Sequence, residues 1–237
     1  MTLRRCATAV ATSLALAACG GGGDGDPGFP ADIVFDVAAA WSSVLNADAA
    51  FSLSGVGSDN FGYTLVVDLQ PFGTGAYPPT GQVWARSIQR SSLSSGNTLL
   101  SDTQTTQFFD PATNELIAVA SSDGTCADIV SNGVLPRAAN VGSVGVLYDA
   151  VIYDSCSPSA AAEGSVASRW SIEAEAGVPF FCVNSEQRDA FGNAIAAEQD
   201  CIEVDSLGRL GALARMTVVV HPSAAVPGGF SLVARNY

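Results

Sequence analysis

The chain has 237 residues, 48% of them hydrophobic and 14% charged, with a net charge of −13 at pH 7. That is enough apolar material for one large domain. Its acidity, with every basic residue an Arg and no Lys, excludes a nucleic-acid binder that neutralises phosphates and works against adsorption to anionic lipid.

Residues 1–18 begin with Arg4 and Arg5, run apolar from Ala7 to Leu16, and end at the box Leu16-Ala17-Ala18-Cys19. The apolar run is shorter than a bilayer-spanning helix requires. This segment resembles the signal peptide and lipobox of a Gram-negative bacterial lipoprotein. The resemblance implies cleavage before Cys19 and acylation of Cys19 by chains such as palmitate. The protein would then be held in the cell envelope by that acyl anchor. Because Gly20 is not Asp, it further implies the outer membrane, facing the periplasm, with surface exposure left open. Residues 19–30 read as the lipidated Cys and a Gly-rich tether with little apolar surface to bury. Residues 31–237 read as a single β-rich domain.

Between Ala31 and Asn46, Ile33, Val34, Val37, Trp41, Val44 and Leu45 recur at three- and four-residue intervals. This predicts one amphipathic helix, with Pro30, Asp32 and Asp36 suited to its start. From Phe51 the period becomes two: Tyr63, Leu65, Val67 and Leu69 lie on one face, and Thr64, Val66, Asp68 and Gln70 on the other. Similar alternation predicts strands over 51–56, 83–90, 99–109, 116–120, 144–153, 166–175, 180–184, 201–204, 213–221 and 230–235. The stretch Pro71 to Gly81, rich in Pro and Gly, reads as a long loop. Connectors such as Gly57-Ser58-Asp59-Asn60, Ala176-Gly177 and Phe191-Gly192-Asn193 are too short for crossover helices. The expected fold is therefore mainly β, an antiparallel meander forming a curved sheet or a barrel-like domain, with the N-terminal helix packed on it.

Cys6 falls in the signal and Cys19 at the lipid site. Cys126, Cys156, Cys182 and Cys201 remain, an even set that reads as two disulfides in an oxidising compartment. Three connectivities are open, and local closure favours Cys126 with Cys156 and Cys182 with Cys201. No CxxC pair exists and the single His, His221, precedes Pro222, so no metal site is expected.

The same His221 has no GxSxG nucleophile to serve, and no cofactor fingerprint is present, so no catalytic or cofactor-binding residue is assigned. Asp24-Gly25-Asp26 lacks the rest of a calcium loop. Among the carboxylates Asp68, Asp149, Glu173, Glu175, Asp200, Glu203 and Asp205, two pairs share a strand face: Glu173 with Glu175, and Glu203 with Asp205. Such pairs are a solvated face or, less simply, acid/base groups of a hydrolase. Trp84, Phe108, Tyr148, Tyr153 and Trp170 lie on predicted strands and are expected to fill a core. The leading expectation is a lipid-anchored, non-enzymatic binding or structural module of the envelope. The rivals are a carrier of apolar molecules, by fold-level analogy with lipocalins and lipoprotein carriers, and a carboxylate-based hydrolase.

Overall fold

The computed structural model describes residues 29–237 apart from Ala31, Ala224 and Ala225, so Cys6, Cys19, the lipobox, the tether and Asp24-Gly25-Asp26 lie outside the described residues. One helix, α1 (Val37–Leu45), precedes twelve strands. These are β1 (Ala49–Gly57), β2 (Gly62–Ala76), β3 (Val83–Ser95), β4 (Thr98–Phe109), β5 (Leu116–Ser121) and β6 (Cys126–Asn132), followed by β7 (Val144–Tyr153), β8 (Ala162–Glu175), β9 (Val178–Asp189), β10 (Ala194–Val204), β11 (Leu210–Val220) and β12 (Phe230–Arg235). Each pairs antiparallel with the next, as short turns dictate. β1 also pairs with β12, through Ser54 with Arg235 and Val56 with Val233, and closes the barrel. Closure leaves no open sheet edge.

Two predictions needed correction. The helix starts at Val37 rather than Ala31, because the Asp36 carboxylate accepts from Ala39 N as an N-cap, while Phe35 is held extended by its bridge to Ala139. Pro71 to Ala76 is not loop: it extends β2, and the register shift between Pro71 and Thr74 accommodates the proline. The sequence pattern also missed β6 entirely.

Residues paired across neighbouring strands share a face, so the register divides the wall into inside and outside. Phe51, Leu65, Met216, Val218 and Leu232 form an inward apolar wall over β1, β2, β11 and β12. Trp170, Ile172, Phe181 and Val204 point inward at one end of the barrel and pack with Phe35, Val37, Trp41 and Leu45. The helix therefore plugs that end instead of lying on an outer face. Trp41 Nε1 donates to Asn114 O at 3.0 Å, and Val37 N donates to Pro136 O.

The disulfides are Cys126–Cys156 and Cys182–Cys201, with Cα separations of 5.0 and 4.0 Å. The second links direct register partners on β9 and β10. Both face outward, where each anchors a small external cluster. Tyr77, Phe108 and Ala118 surround Cys126, and Phe180 packs with Cys182 and Cys201.

Candidate functional site

The carboxylates singled out in the sequence separate into two groups. Most are structural. Asp149 pairs with Arg169 at 3.0 Å, Asp205 ties its own turn through Arg209, and Glu203 accepts from the backbone N–H groups of Ala212 and Leu213. Glu203 and Asp205 thus serve separate backbone segments. Glu173 and Glu175 do share an outward face, where Arg215 bridges them at 2.8 and 2.6 Å and Arg235 binds Glu175 at 2.6 Å. Burial opposes ionisation of Glu175, but hydrogen bonds from Tyr237 and Arg215 outweigh it and hold its carboxyl below the usual range. Glu173 lies beside Cys182 and Cys201, yet those sulfurs are spent in the disulfide and cannot act as thiolate ligands. His221 lies just past β11, its backbone N–H donating to Ile195 O.

Asp200 belongs to the other group, together with Glu198, which the sequence reading passed over. The two stand two residues apart on β10 and point inward: Glu198 is in register with Ser185 and Val218, and Asp200 with Val183 and Met216. Glu198 is 8% exposed. Burial pushes the Glu198 carboxyl well up, and the neighbouring charge and hydrogen bond of Asp200 raise it further, so Glu198 holds the proton. Burial also raises Asp200, with the hydrogen bond from Glu198 partly offsetting the rise. Beside them stands Tyr148, its phenol pushed up by burial, with Ser168 its register partner. The Ser168 and Ser185 hydroxyls are 3.1 Å apart and buried.

Among the described residues no element supplies a cation to this pair. Every described Arg lies on an outward strand position or in a connecting loop. Protein surrounds Asp200 and Tyr148, yet each keeps surface that a water-sized sphere reaches. Both are inward positions of the barrel wall. Ser87, Gln89 and Ser91 of β3 and Thr103, Thr105 and Gln107 of β4 present hydroxyls and amides to the same interior, and Ser87 Oγ donates to Gln107 Oε1.

The aromatic residues do not act as one core. Trp170 is 5% exposed within the plug cluster and Phe108 is buried in the external cluster at Cys126. Tyr148 points inward and packs against the plug cluster, and Trp84 and Tyr153 are half-buried on the outside. Two surface depressions, of about 460 and 410 Å³, lie along β1 and β2 and beside α1. Neither brings two titratable groups together, in contrast to the lumen.

No family model, curated protein or solved structure matches this chain.

Two carboxyls sharing one proton, a phenol and serine hydroxyls stand side by side with an apolar wall that begins at their register partners Met216 and Val218. Such an arrangement accepts hydrogen bonds from a cation on one side and packs hydrocarbon on the other. The signal for Glu198 was present in Ala196-Ala197-Glu198-Gln199-Asp200, where alternation sets both acids on one face. What the sequence did not carry is that this face looks into a barrel.

Proposed function

We propose that this protein is a lipid-anchored binding module of the Gram-negative cell envelope whose barrel lumen takes a small organic ammonium ion. The observation that carries the reading is the buried pair Glu198 and Asp200, which has no cationic partner among the described residues. A buried charge is costly unless paired, and a ligand ammonium would supply the missing partner. The apolar wall of Phe51, Met216 and Leu232 would accept its hydrocarbon. A wholly apolar cargo suits the lumen less, because it would leave the inward amides and hydroxyls of β3 and β4 without partners. The envelope address rests on the Leu-Ala-Ala-Cys box. The outward ion-pair belt of Glu173, Glu175, Arg215 and Arg235 supports attachment through an anchor, since a lipid-facing barrel wall carries an apolar band there.

Calorimetric titration with n-butylamine and with the uncharged n-butanol, against wild type and the double variant Glu198→Gln/Asp200→Asn, tests the lumenal site. Wild type is expected to bind the amine more tightly than the alcohol, and the variant to lose that preference. Equal binding of amine and alcohol by wild type, or an unchanged preference in the folded variant, would reject the proposal.

A further inference from the structure

We infer that the plugged end of the barrel is the face laid on the bilayer, through an exposed valine patch beside the point where the chain enters the fold. The inference rests on the anchor reading above and adds an orientation to it. Val34, Val130, Val134, Val141, Val144 and Val146 are all exposed, Val134 at 95% and Val144 at 72%. The fold gathers them from four segments on one flank. Val144 and Val146 project outward from the start of β7. Val130 is the unpaired residue between Ile129 and Ser131 on neighbouring β6. The connecting loop carries Val134 and Val141, and its Gly133 packs directly on the Val146 carbonyl, where a Cβ would collide. The bridge between Phe35 and Ala139 sets Val34 against the same loop.

The flank carries one exposed cation and one exposed carboxylate, Asp32 two residues before Val34, so its charges neither drive nor oppose contact with lipid headgroups. Arg137 is exposed in the same loop and makes no ion pair among the described residues, whereas Asp149 on β7 is paired with Arg169. The valines, able to enter the headgroup and acyl boundary, carry the interfacial contact.

The tether decides the occupant. Phe29, the first described residue, packs on the plug cluster and its ring lies 5.7 Å from Phe35, so the chain enters at the plugged end. Phe29 stands ten positions after Cys19, a span of about 35 Å for a fully extended chain and roughly 17 Å for a random coil. The barrel wall is about as tall as the fully extended reach, given the 14 residues of β8 and the usual strand tilt. An acyl chain on Cys19 therefore holds the plugged end near the membrane and the opposite rim away from it. That rim has exposed apolar residues too, Val56, Phe61, Leu99, Leu100 and Phe191, but they are spread over the end of β1, the start of β4 and two turns that carry Asp59 and Asp189.

The test uses the lipidated full chain purified from membranes and reconstituted on vesicles of phosphatidylethanolamine and phosphatidylglycerol with brominated acyl chains. Single variants Val134→Trp and Phe191→Trp report the two ends after subtraction of the wild-type emission. The added Trp at position 134 is expected to emit at shorter wavelength and to lose on the order of half its emission to bromine, as for a ring about 5–10 Å into the interface. The one at 191 should do neither. If both variants float with the vesicles but are quenched alike or not at all, the anchor stands and the orientation is wrong. Failure of wild type to float overturns the anchor reading and the orientation together. A blue shift at 134 that grows with protein concentration and without bromine quenching would assign the patch to a second copy and overturn the lipid contact.

Discussion

Gly208, at the tip of the β10 to β11 turn, lies directly against the backbone of Ala40 in α1, and a Cβ at Gly208 would sit 2.5 Å from the Ala40 nitrogen. Its φ of +78° is in the left-handed region besides. The turn and the plug helix are thus locked by the absence of one side chain. Gly208→Ala is expected to destabilise the barrel by about 2–4 kcal/mol through strain and overpacking. Urea denaturation checks it. A midpoint equal to wild type would show that the helix is not seated by this contact.

The lumenal pair predicts an unusual dependence on pH. Both carboxyls are raised by burial, Asp200 to about 7, from an unfolded value near 4. Between about pH 4 and pH 7 the folded state binds more protons than the unfolded one, so the pair's contribution to stability falls as pH rises. The lowered carboxyls Asp59, Glu175, Asp189 and Asp205 act in the opposite sense and below that window. Wild type should lose more stability between pH 4.5 and 7.5 than Glu198→Gln/Asp200→Asn, measured by urea midpoints. Parallel curves for the two would mean that the pair does not titrate as described.

Trp170 stands opposite Gly145 in register, where a Cβ would lie 2.7 Å from the indole, so the ring fits because that position is glycine. Trp170→Ala should cost about 3–5 kcal/mol. Trp84→Ala, on the half-buried outer surface, should cost less. Thermal unfolding of the two variants gives the comparison, and a smaller loss for Trp170 would contradict its place in the plug cluster.

Each disulfide closes a loop, of sequence separation 30 for Cys126–Cys156 and 19 for Cys182–Cys201. Replacing either pair by Ala should destabilise by about 3–4 kcal/mol on the chain-entropy model. Non-reducing peptide mapping should recover these two linkages. A cross-linked peptide joining Cys156 to Cys182 would contradict them.

Cys19→Ala should move the protein from the membrane fraction to the soluble fraction, as a single acyl-bearing residue is proposed to hold it. Membrane partitioning of the variant equal to wild type would remove Cys19 as the anchor.

By itself the sequence determined the strand-rich, antiparallel character of the fold. Alternation over residues 144–153 and 230–235 puts the apolar side chains on one face only in an extended chain, and the short polar turns leave antiparallel neighbours as the partners for its backbone. It also favoured both disulfides, because Cys182 and Cys201 flank one hairpin and Cys126 and Cys156 a short span. β6 escaped because Ile129-Val130-Ser131 contains a bulge, and one extra residue destroys the period on which recognition depends. Barrel closure was decided by tertiary structure, since β1 and β12 meet from opposite ends of the domain and neither strand encodes its distant partner. Closure in turn gave Glu198 and Asp200 their meaning. A period of two sorts side chains into two faces but does not say which face encloses a space, and a carboxyl pair that would be ordinary in solvent becomes a proton-sharing site once twelve strands close around it.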